Sequence, residues 1–445
     1  MTDQAVRRTE LVERAQQIAP KLAARAAADP WARQIAADAI DELRSAELLT
    51  IGQPSANGGQ ELDWITYLEV HAALAEGCPS TAWLACVGNA HAWLAGHWPG
   101  ACQEEIYAGG PDTYVAGVLT DRGDTVPVDG GWTLNGFWPF GSGIDHAGWI
   151  VLGGHIPSPN GGEPVSGMFV LPADEISFLD DWHASGLRAT GSSSIVAKDV
   201  YVPKHRFVPG EVLASGDTPG MARNQGWIQR SALMPTLAYA LTPVAIGAAR
   251  ASLAAFAEEV DGKIISHVDV LQTDWPLTHR QFAESHALID QGELLLRRSA
   301  ELITETARNG EFMALGLRAR VRLDCAYAVR RCLEAVETLY LATGGRGGAR
   351  HQPHRPLPSR PAGHQHARDH GARPGAGGLR PHPHGPPTPH PPPLASLHGF
   401  MRSLHSTERP QSRAVRPETA RFGARNRSRT NRMHLAVDWI VLGRN

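Results

Sequence analysis

Apolar side chains recur at helical spacing over the first quarter of the chain and again over residues 231–342. Within residues 5–50 they return every three or four positions, and Pro30 stands where one helix is expected to end and the next to begin. Five further helices are predicted, over about residues 63–76, 80–96, 231–260, 277–308 and 312–342. The last three are long enough to predict a helical bundle.

Between these helical tracts, residues 113–208 change to short β-branched and aromatic runs divided by Gly, Pro, Asp and Asn. Five strands are predicted, at residues 114–119, 132–135, 149–152, 168–171 and 195–202. Runs of this length and spacing predict an antiparallel sheet or a small barrel. We therefore expect an α+β protein with an N-terminal helical domain (1–111), a middle β domain (112–215) and a C-terminal helical bundle (216–346).

The bulk composition indicates a folded body followed by a different kind of segment. The chain has 445 residues, of which 42% are hydrophobic, so two or three domains with a sizeable core are expected. The net charge of −3 divides into about −16 for residues 1–345 and +13 for residues 346–445, where 17 Arg face 4 acidic residues. The acidic body lacks the basic footprint of a nucleic-acid-binding protein.

The final segment, residues 347–445, does not read as a domain. Residues 351–400 hold 13 of the 33 prolines and 9 of the 21 histidines. Three interpretations stay open: a His-rich or Pro-rich binding segment, a disordered tail, or a coding sequence translated out of frame. The third has one specific support, because the codons of residues 361–366, read one nucleotide later, permit Arg-Asp-Ile-Asn-Thr.

Cysteine usage and the N-terminus together predict a cytoplasmic protein. The five cysteines form no C-x-x-C pair, as is usual in a reducing compartment. No charged segment followed by an apolar run begins the chain, and no stretch of about 18 uninterrupted apolar residues predicts a membrane span. Walker, G-x-S-x-G and H-E-x-x-H motifs are missing, and no metal site is predicted in the body.

Two motifs in the β region carry a resemblance to a known family. Residues 131–143 read GWTLNGFWPFGSG, and residues 182–192 read WHASGLRATGS. Together with the α, β, α order, they resemble the acyl-CoA dehydrogenase fold over roughly residues 5–346. The closest likeness is to its oxygen-using branch, the two-component flavin-dependent monooxygenases of the p-hydroxyphenylacetate hydroxylase and dibenzothiophene monooxygenase type.

That resemblance implies an enzyme that receives reduced FMN or FAD from a separate NAD(P)H:flavin reductase. It implies insertion of one oxygen atom from O2 into an aromatic substrate, phenolic or polycyclic, through a C4a-hydroperoxyflavin, and it implies a homotetramer. N- or S-oxygenation on the same fold, an acyl-CoA dehydrogenase, and an inactive frame-disrupted product are the alternatives. A dehydrogenase is disfavoured because no carboxylate stands where that family places its catalytic base.

The flavin contacts implied by the resemblance begin with the segment at residues 140–143. Phe140 falls where an aromatic side chain covers one face of the flavin, and Ser142 where a hydroxyl meets flavin N5, with Gly143 beside it. The structural alternative is that these residues are core and turn positions of a β domain.

Further cofactor and substrate residues follow from the same comparison. The run Ser80-Thr81-Ala82-Trp83 and the later His91 match family positions on one helix, eight residues apart and so on one face. The resemblance implies that Trp83 contacts the cofactor, and that His91 meets the substrate hydroxyl and accepts its proton. A buried structural histidine is the alternative for His91. The remaining implied cofactor residues are Trp182, Thr190, Ser192, Arg280 and Arg346.

The sequence departs from the family at the first predicted strand. Family members commonly carry a serine there that helps to hold the substrate, whereas residues 115–118 read Val-Ala-Gly-Val. The missing serine keeps N- or S-oxygenation open as an alternative to phenol hydroxylation.

Overall fold

The structure of the chain is a computed structural model that describes residues 3–158 and 160–344. The predicted tail at residues 347–445 and the predicted cofactor residue Arg346 lie outside these ranges.

Helices form both ends of the described chain. The N-terminal group comprises α1 (Asp3–Ala28), α2 (Ala37–Ser45), α3 (Trp64–Gly77), α4 (Pro79–Ala95) and α5 (Gly100–Ile106). The C-terminal group comprises α6 (Gly210–Ser215), α7 (Leu233–Ala240), α8 (Pro243–Val260), α9 (Pro276–Arg308) and α10 (Leu315–Ala342). The two groups share one core, since α3 packs on α8 and α9 while α10 packs along α9 and α8.

Seven strands between the helical groups form one sheet. They are β1 (Val115–Val128), β2 (Gly131–Gly141), β3 (Trp149–Ile156), β4 (Val165–Pro172), β5 (Ser177–Phe178), β6 (Ser193–Pro203) and β7 (Phe207–Pro209). Their order across the sheet is β5-β6-β2-β1-β3-β4-β7. Two short strands, β8 (Ile264–Ile265) and β9 (Val270–Leu271), pair separately before α9. Helices before and after one sheet confirm the predicted α+β class.

The sequence predicted an antiparallel sheet or a small barrel, and the sheet departs from the antiparallel arrangement at one pair of strands. β1 and β3 run parallel, with Val115 beside Trp149, whereas every other pair in the large sheet is antiparallel. The reason is the path of the chain around β1. The antiparallel β2 ends near the beginning of β1, and residues 142–148 then cross to the other side of β1. β3 therefore begins beside the beginning of β1 and runs in the same direction.

The predicted helix at 231–260 is two helices. α7 ends at Ala240 and α8 begins at Pro243, which has no backbone N–H to donate and so starts a helix better than it continues one. Leu233–Val260 is the one helical segment in the described ranges whose length and composition would suit a membrane span. The sequence had predicted no membrane span, because no run of about 18 apolar residues is uninterrupted. Half of the most apolar window of Leu233–Val260 is buried inside the protein.

Candidate functional site

Helix α4 is held against the beginning of the sheet by a tyrosine. The buried Tyr114 donates its hydroxyl to the Leu84 carbonyl oxygen over 2.8 Å, which anchors the helix to β1. The helix turns Trp83 and His91 toward the sheet, where Trp83 contacts Ser142 beyond β2 and His91 contacts the Val115 backbone of β1. Two positions predicted to share a helix face therefore lie on the same side of the site.

Three hydroxyl groups form a line from α4 into the loop before β6. The Trp83 indole Nε1 donates to Ser142 Oγ over 3.1 Å, and Ser142 Oγ lies 2.7 Å from Ser192 Oγ. Ser192 Oγ lies 2.6 Å from Thr190 Oγ1, which donates to the Leu187 carbonyl oxygen over 2.9 Å. Thr190 and Ser192 are buried, whereas Ser142 at the end of β2 is half-buried. Four of the predicted cofactor residues thus form one hydrogen-bonded line.

An aromatic corner stands beside this line. Phe140 and Trp182 meet edge to face with ring centroids 6.3 Å apart, and 46% of the Phe140 side chain is exposed. Phe140 holds a left-handed backbone with φ of 70°, a conformation that costs a non-glycine residue roughly 1–2 kcal/mol. Gly143 holds the same conformation with φ of 73°, and a Cβ there would lie 2.5 Å from the Tyr114 hydroxyl. The backbone is therefore bent to present an exposed aromatic ring next to Ser142.

The connection between α1 and α2 holds the loop that carries Thr190 and Trp182. The Gly191 amide donates to the Arg33 carbonyl over 2.9 Å, and Gln34 and Thr190 form a β-bridge. The Arg33 guanidinium donates to the Trp182 carbonyl over 2.8 Å and pairs with Asp180. Sequence reasoning missed Arg33, because it lies between two helices in a segment with no motif. The only available signal was an arginine in a short interhelical connection.

His91 is a buried histidine with one open ring nitrogen. Burial lowers its pKa from 6.5 to about 4, and a hydrogen bond to the Val115 backbone opposes that shift. The neutral ring therefore dominates at neutral pH. Among the described residues Nδ1 has no hydrogen-bond partner, and in a neutral imidazole one nitrogen carries the hydrogen while the other accepts. In the tautomer with the hydrogen on Nε2, Nδ1 is a proton acceptor.

Two other buried histidines have the same lowered pKa as His91, but neither hydrogen-bonds to β1. His71 on α3 and His97 after α4 each have a pKa near 4 because burial disfavours the charged ring. His97 Nδ1 lies 3.1 Å from the Thr218 hydroxyl, and its Nε2 is also unpartnered in the described part of the chain. A lowered pKa alone therefore does not single out His91.

Of the two arginines predicted to bind the cofactor, Arg280 does not join this cluster. Arg280 lies in the first turns of α9, is 71% exposed in its side chain, and pairs with Glu284 one turn later at 3.0 Å. Arg346 lies outside the described residues. Within one chain, the structure brings together six predicted cofactor residues: Trp83, Phe140, Ser142, Trp182, Thr190 and Ser192. Gly143 follows Ser142 and donates its amide to the Thr190 carbonyl.

The arrangement fits a flavin. Three features lie together here: an exposed aromatic ring, a half-buried hydroxyl with unused acceptor capacity and a glycine in a left-handed turn. A flat heteroaromatic ring would stack on the aromatic side chain and donate an N–H at its edge to the hydroxyl. An open cleft of about 390 Å³ is lined by Trp182 and Gly191 of the loop before β6 and by residues of the 29–34 segment. Fold and site together define a flavin enzyme of the acyl-CoA dehydrogenase fold.

Comparison with known proteins agrees with this class and narrows it. The family model of the acyl-CoA dehydrogenase C-terminal domain matches residues 239–354. The chain is 31% identical over 326 residues to the FADH(2)-dependent resorcinol hydroxylase oxygenase component of Rhizobium sp., covering 71% of this chain and 80% of that protein. It is also 31% identical to the flavin-dependent monooxygenase oxygenase subunit HsaA of Mycobacterium tuberculosis, covering 73% of this chain and 82% of HsaA.

Solved structures show the same likeness. The HsaA crystal structure superposes with a TM-score of 0.71 at 27% identity, covering 76% of this chain and 87% of HsaA. XiaF from Streptomyces sp., solved with FADH2 and glycerol, superposes with a TM-score of 0.73 at 29% identity, covering 79% and 89%. The chain belongs to the family of flavin-dependent monooxygenase oxygenase components, and the predicted family, fold and enzyme class are confirmed.

Proposed function

We propose that this chain hydroxylates a phenolic or polycyclic aromatic substrate with O2 and reduced FMN or FAD, which a separate NAD(P)H:flavin reductase supplies. The observation that carries the proposal is the shared face of α4. It directs Trp83 to the Ser142 hydroxyl and His91 to the start of β1, so a cofactor-facing group and a proton acceptor stand two helical turns apart. The relatives named as resorcinol hydroxylase and HsaA support the aromatic substrate.

The cofactor residues divide into a stacking surface and a hydrogen-bonding edge. Phe140 and Trp182 provide the aromatic surface, and Ser142 provides an oxygen at its edge. Bound reduced flavin would supply the activation of O2 and the oxygen atom that reaches the substrate. The chain's own part is to hold that ring and to exclude water, for which α4 and the loop at residues 187–192 supply buried walls.

His91 would act on the substrate. A neutral imidazole with Nδ1 unpartnered accepts a phenolic proton, and loss of that proton raises the electron density of the ring that receives oxygen. In the tautomer with the hydrogen on Nε2, the substrate proton is received on Nδ1, which has no partner among the described residues.

N- or S-oxygenation stays the second candidate, and one observation favours it. Residues 115–118 of β1, near which family members carry a substrate-binding serine, contain none, and at Gly117 a Cβ would lie 2.5 Å from the Val151 carbonyl oxygen. A phenol would therefore depend on His91 without a serine from this strand.

The test of the proposed cofactor role uses Ser142→Ala. Under anaerobic conditions the wild-type protein should bind reduced FMN or FAD, and the variant should bind it more weakly by roughly 3- to 10-fold, the effect of one hydrogen bond. The variant should also release more hydrogen peroxide per O2 consumed. Ser166→Ala, which removes an exposed hydroxyl bonded to Asp121, is the matched control. Equal affinity and equal peroxide release in Ser142→Ala would contradict the role.

We propose a homotetramer in which Arg280 reaches the flavin phosphate of a neighbouring subunit. Support comes from the exposed Arg280 guanidinium and from apolar side chains exposed on the two long C-terminal helices, among them Leu294 (66%) and Leu323 (50%). Light scattering should give four copies, and Leu323→Glu should reduce the assembly, while Val126→Glu on β1, outside the two long helices, serves as a control for added charge. A monomeric wild type would contradict the proposal.

We also keep three further proposals: the three-domain division, Arg346 as a cofactor residue and a cytoplasmic location.

We further propose that the codons after Arg346 are read out of frame in this chain. The abrupt rise in Arg, Pro and His at that point supports it, as does the Arg-Asp-Ile-Asn-Thr reading one nucleotide later. Expression of the restored frame should raise activity. A restored sequence equally rich in Pro and His, or with no gain in activity, would instead favour the His-rich binding segment.

A further inference from the structure

The line of hydroxyls between Trp83 and Leu187 has only one consistent direction. Each serine or threonine hydroxyl has one hydrogen to donate and two acceptor lone pairs. At one end the Trp83 indole can only donate, and at the other the Leu187 carbonyl can only accept. Three hydroxyl hydrogens therefore have to serve the three remaining contacts.

The assignment follows from the carbonyl end. Thr190 must use its hydrogen on the Leu187 oxygen, so the 2.6 Å contact with Ser192 has to be donated by Ser192. The 2.7 Å contact between the two serines then has to be donated by Ser142. Every hydroxyl in the line consequently points its hydrogen away from Trp83.

This direction makes Ser142 an acceptor toward anything else that approaches it. Its hydrogen is directed to Ser192, one lone pair receives the Trp83 N–H, and the second lone pair remains. Reduced flavin carries a hydrogen on N5 and donates there, whereas oxidised flavin has a lone pair on N5 and accepts. We propose that Thr190 and Ser192 are positioning residues that make the site select reduced over oxidised flavin through Ser142.

The inference rests on the proposed flavin site, and its strength comes from the cost of turning the line around. For Ser142 to donate to oxidised flavin, Ser192 and Thr190 would both have to reverse, and the Leu187 oxygen would lose the Thr190 hydroxyl. Among the described residues, that oxygen would keep only the Thr190 amide at 3.1 Å. Thr190 is 2% and Ser192 5% exposed, so solvent has little access to replace the lost bond.

The experiment measures the affinity of the full chain for FMN in both redox states. Quenching of flavin fluorescence gives the oxidised affinity, and an anaerobic titration gives the reduced one. Ser192→Ala removes the acceptor of the Ser142 hydrogen, and Thr190→Val removes the fixed donor at the carbonyl end. Either change frees Ser142 to donate, so the preference for reduced FMN should shrink by about 3- to 10-fold, mainly through tighter binding of oxidised FMN.

Two controls separate direction from damage to the fold. Thr190→Ser keeps the hydroxyl and should keep the wild-type ratio, and Thr125→Val removes a hydroxyl bonded to the His155 carbonyl oxygen in the sheet and should also keep it. A purely structural role for Thr190 would weaken both redox states together and leave their ratio unchanged.

The possible outcomes distinguish failure of the proposed function from failure of the directional hydroxyl line. A wild-type protein that binds neither form of FMN or FAD would contradict the proposed function. A wild type that binds both forms equally, or variants that keep the wild-type ratio, would contradict the directional line and leave the proposed function standing. Circular dichroism verifies that each variant folds, and either Ser192→Ala or Thr190→Val alone decides the question if the other does not fold.

Discussion

Two buried histidines on neighbouring helices, His71 on α3 and His91 on α4, share almost every bulk property. Both are buried, and burial lowers the pKa of each to about 4. They differ in their hydrogen bonds. His71 donates Nδ1–H to the Tyr67 carbonyl over 2.7 Å and receives the Asn89 amide at Nε2 over 3.2 Å, whereas His91 has an unpartnered Nδ1.

The contrast teaches that burial and pKa do not separate a structural histidine from a functional one. The His71 ring is part of a closed network, in which Asn89 also bonds the Ile51 amide and the Leu48 carbonyl. A closed network stabilises the packing of a core, while an open buried nitrogen costs stability. Since His97 also has an open nitrogen, the proposed role of His91 rests on its open Nδ1 together with its contact with β1, and His71 packs α3 on α4.

The largest expected effect tests His91 directly. His91→Ala should lower product formation by roughly 10²- to 10⁴-fold, because the substrate loses its proton acceptor. Oxygen should still be consumed and should appear as hydrogen peroxide. Product per O2 consumed, measured with a flavin reductase and resorcinol as the probe, gives the result. Unchanged coupling would make His91 a second core histidine and remove the contrast.

His71→Ala should have the opposite pattern. The free energy of unfolding should fall by roughly 2–4 kcal/mol, because a buried ring is lost and the Tyr67 carbonyl and Asn89 amide lose their partner. Product per O2 consumed by the folded protein should stay at the wild-type value. Urea unfolding and the same coupling assay check both parts, and a loss of coupling would show that the network around His71 reaches the site.

The pH dependence of stability should treat the two histidines alike. A pKa lowered from 6.5 to about 4 in the folded state means that the unfolded chain binds more protons between these values. Stability is therefore complete above pH 6.5 and falls as the pH decreases, by roughly 1.4 kcal/mol per pH unit for each such histidine. In a plot of the free energy of unfolding against pH, His71→Ala and His91→Ala should each lower the slope between pH 5 and 6.5 by the equivalent of about one bound proton. An unchanged slope in either variant would contradict its burial as a neutral ring.

The sequence predicted the fold and the residues of the site better than it predicted their connections. Helical periodicity placed His91 and Trp83 on one face of α4, and the family motifs located Ser142 and Thr190, which the structure brings into one hydrogen-bonded line. The direction of that line could not be predicted, because it depends on a carbonyl at Leu187 and an indole from another element.

Other features were hidden because they arise from tertiary contact. Arg33 supports the loop at residues 182–191 across about 150 positions of sequence, and no local pattern marks it. The parallel pairing of β1 with β3 follows from the path of residues 142–148, which strand periodicity does not encode. The break before Pro243 was readable from the proline itself, and the helical period on both sides concealed it.

The most direct test of the account is isotope transfer from ¹⁸O2. The protein is supplied with a flavin reductase, NAD(P)H, FMN or FAD, and each of resorcinol, p-hydroxyphenylacetate and indole-3-acetate in turn. The account predicts a product carrying one ¹⁸O atom from at least one of these probes, with the label absent when the oxygen isotope is supplied as water. Unlabelled product, or peroxide as the sole fate of O2 with all three probes, would contradict it.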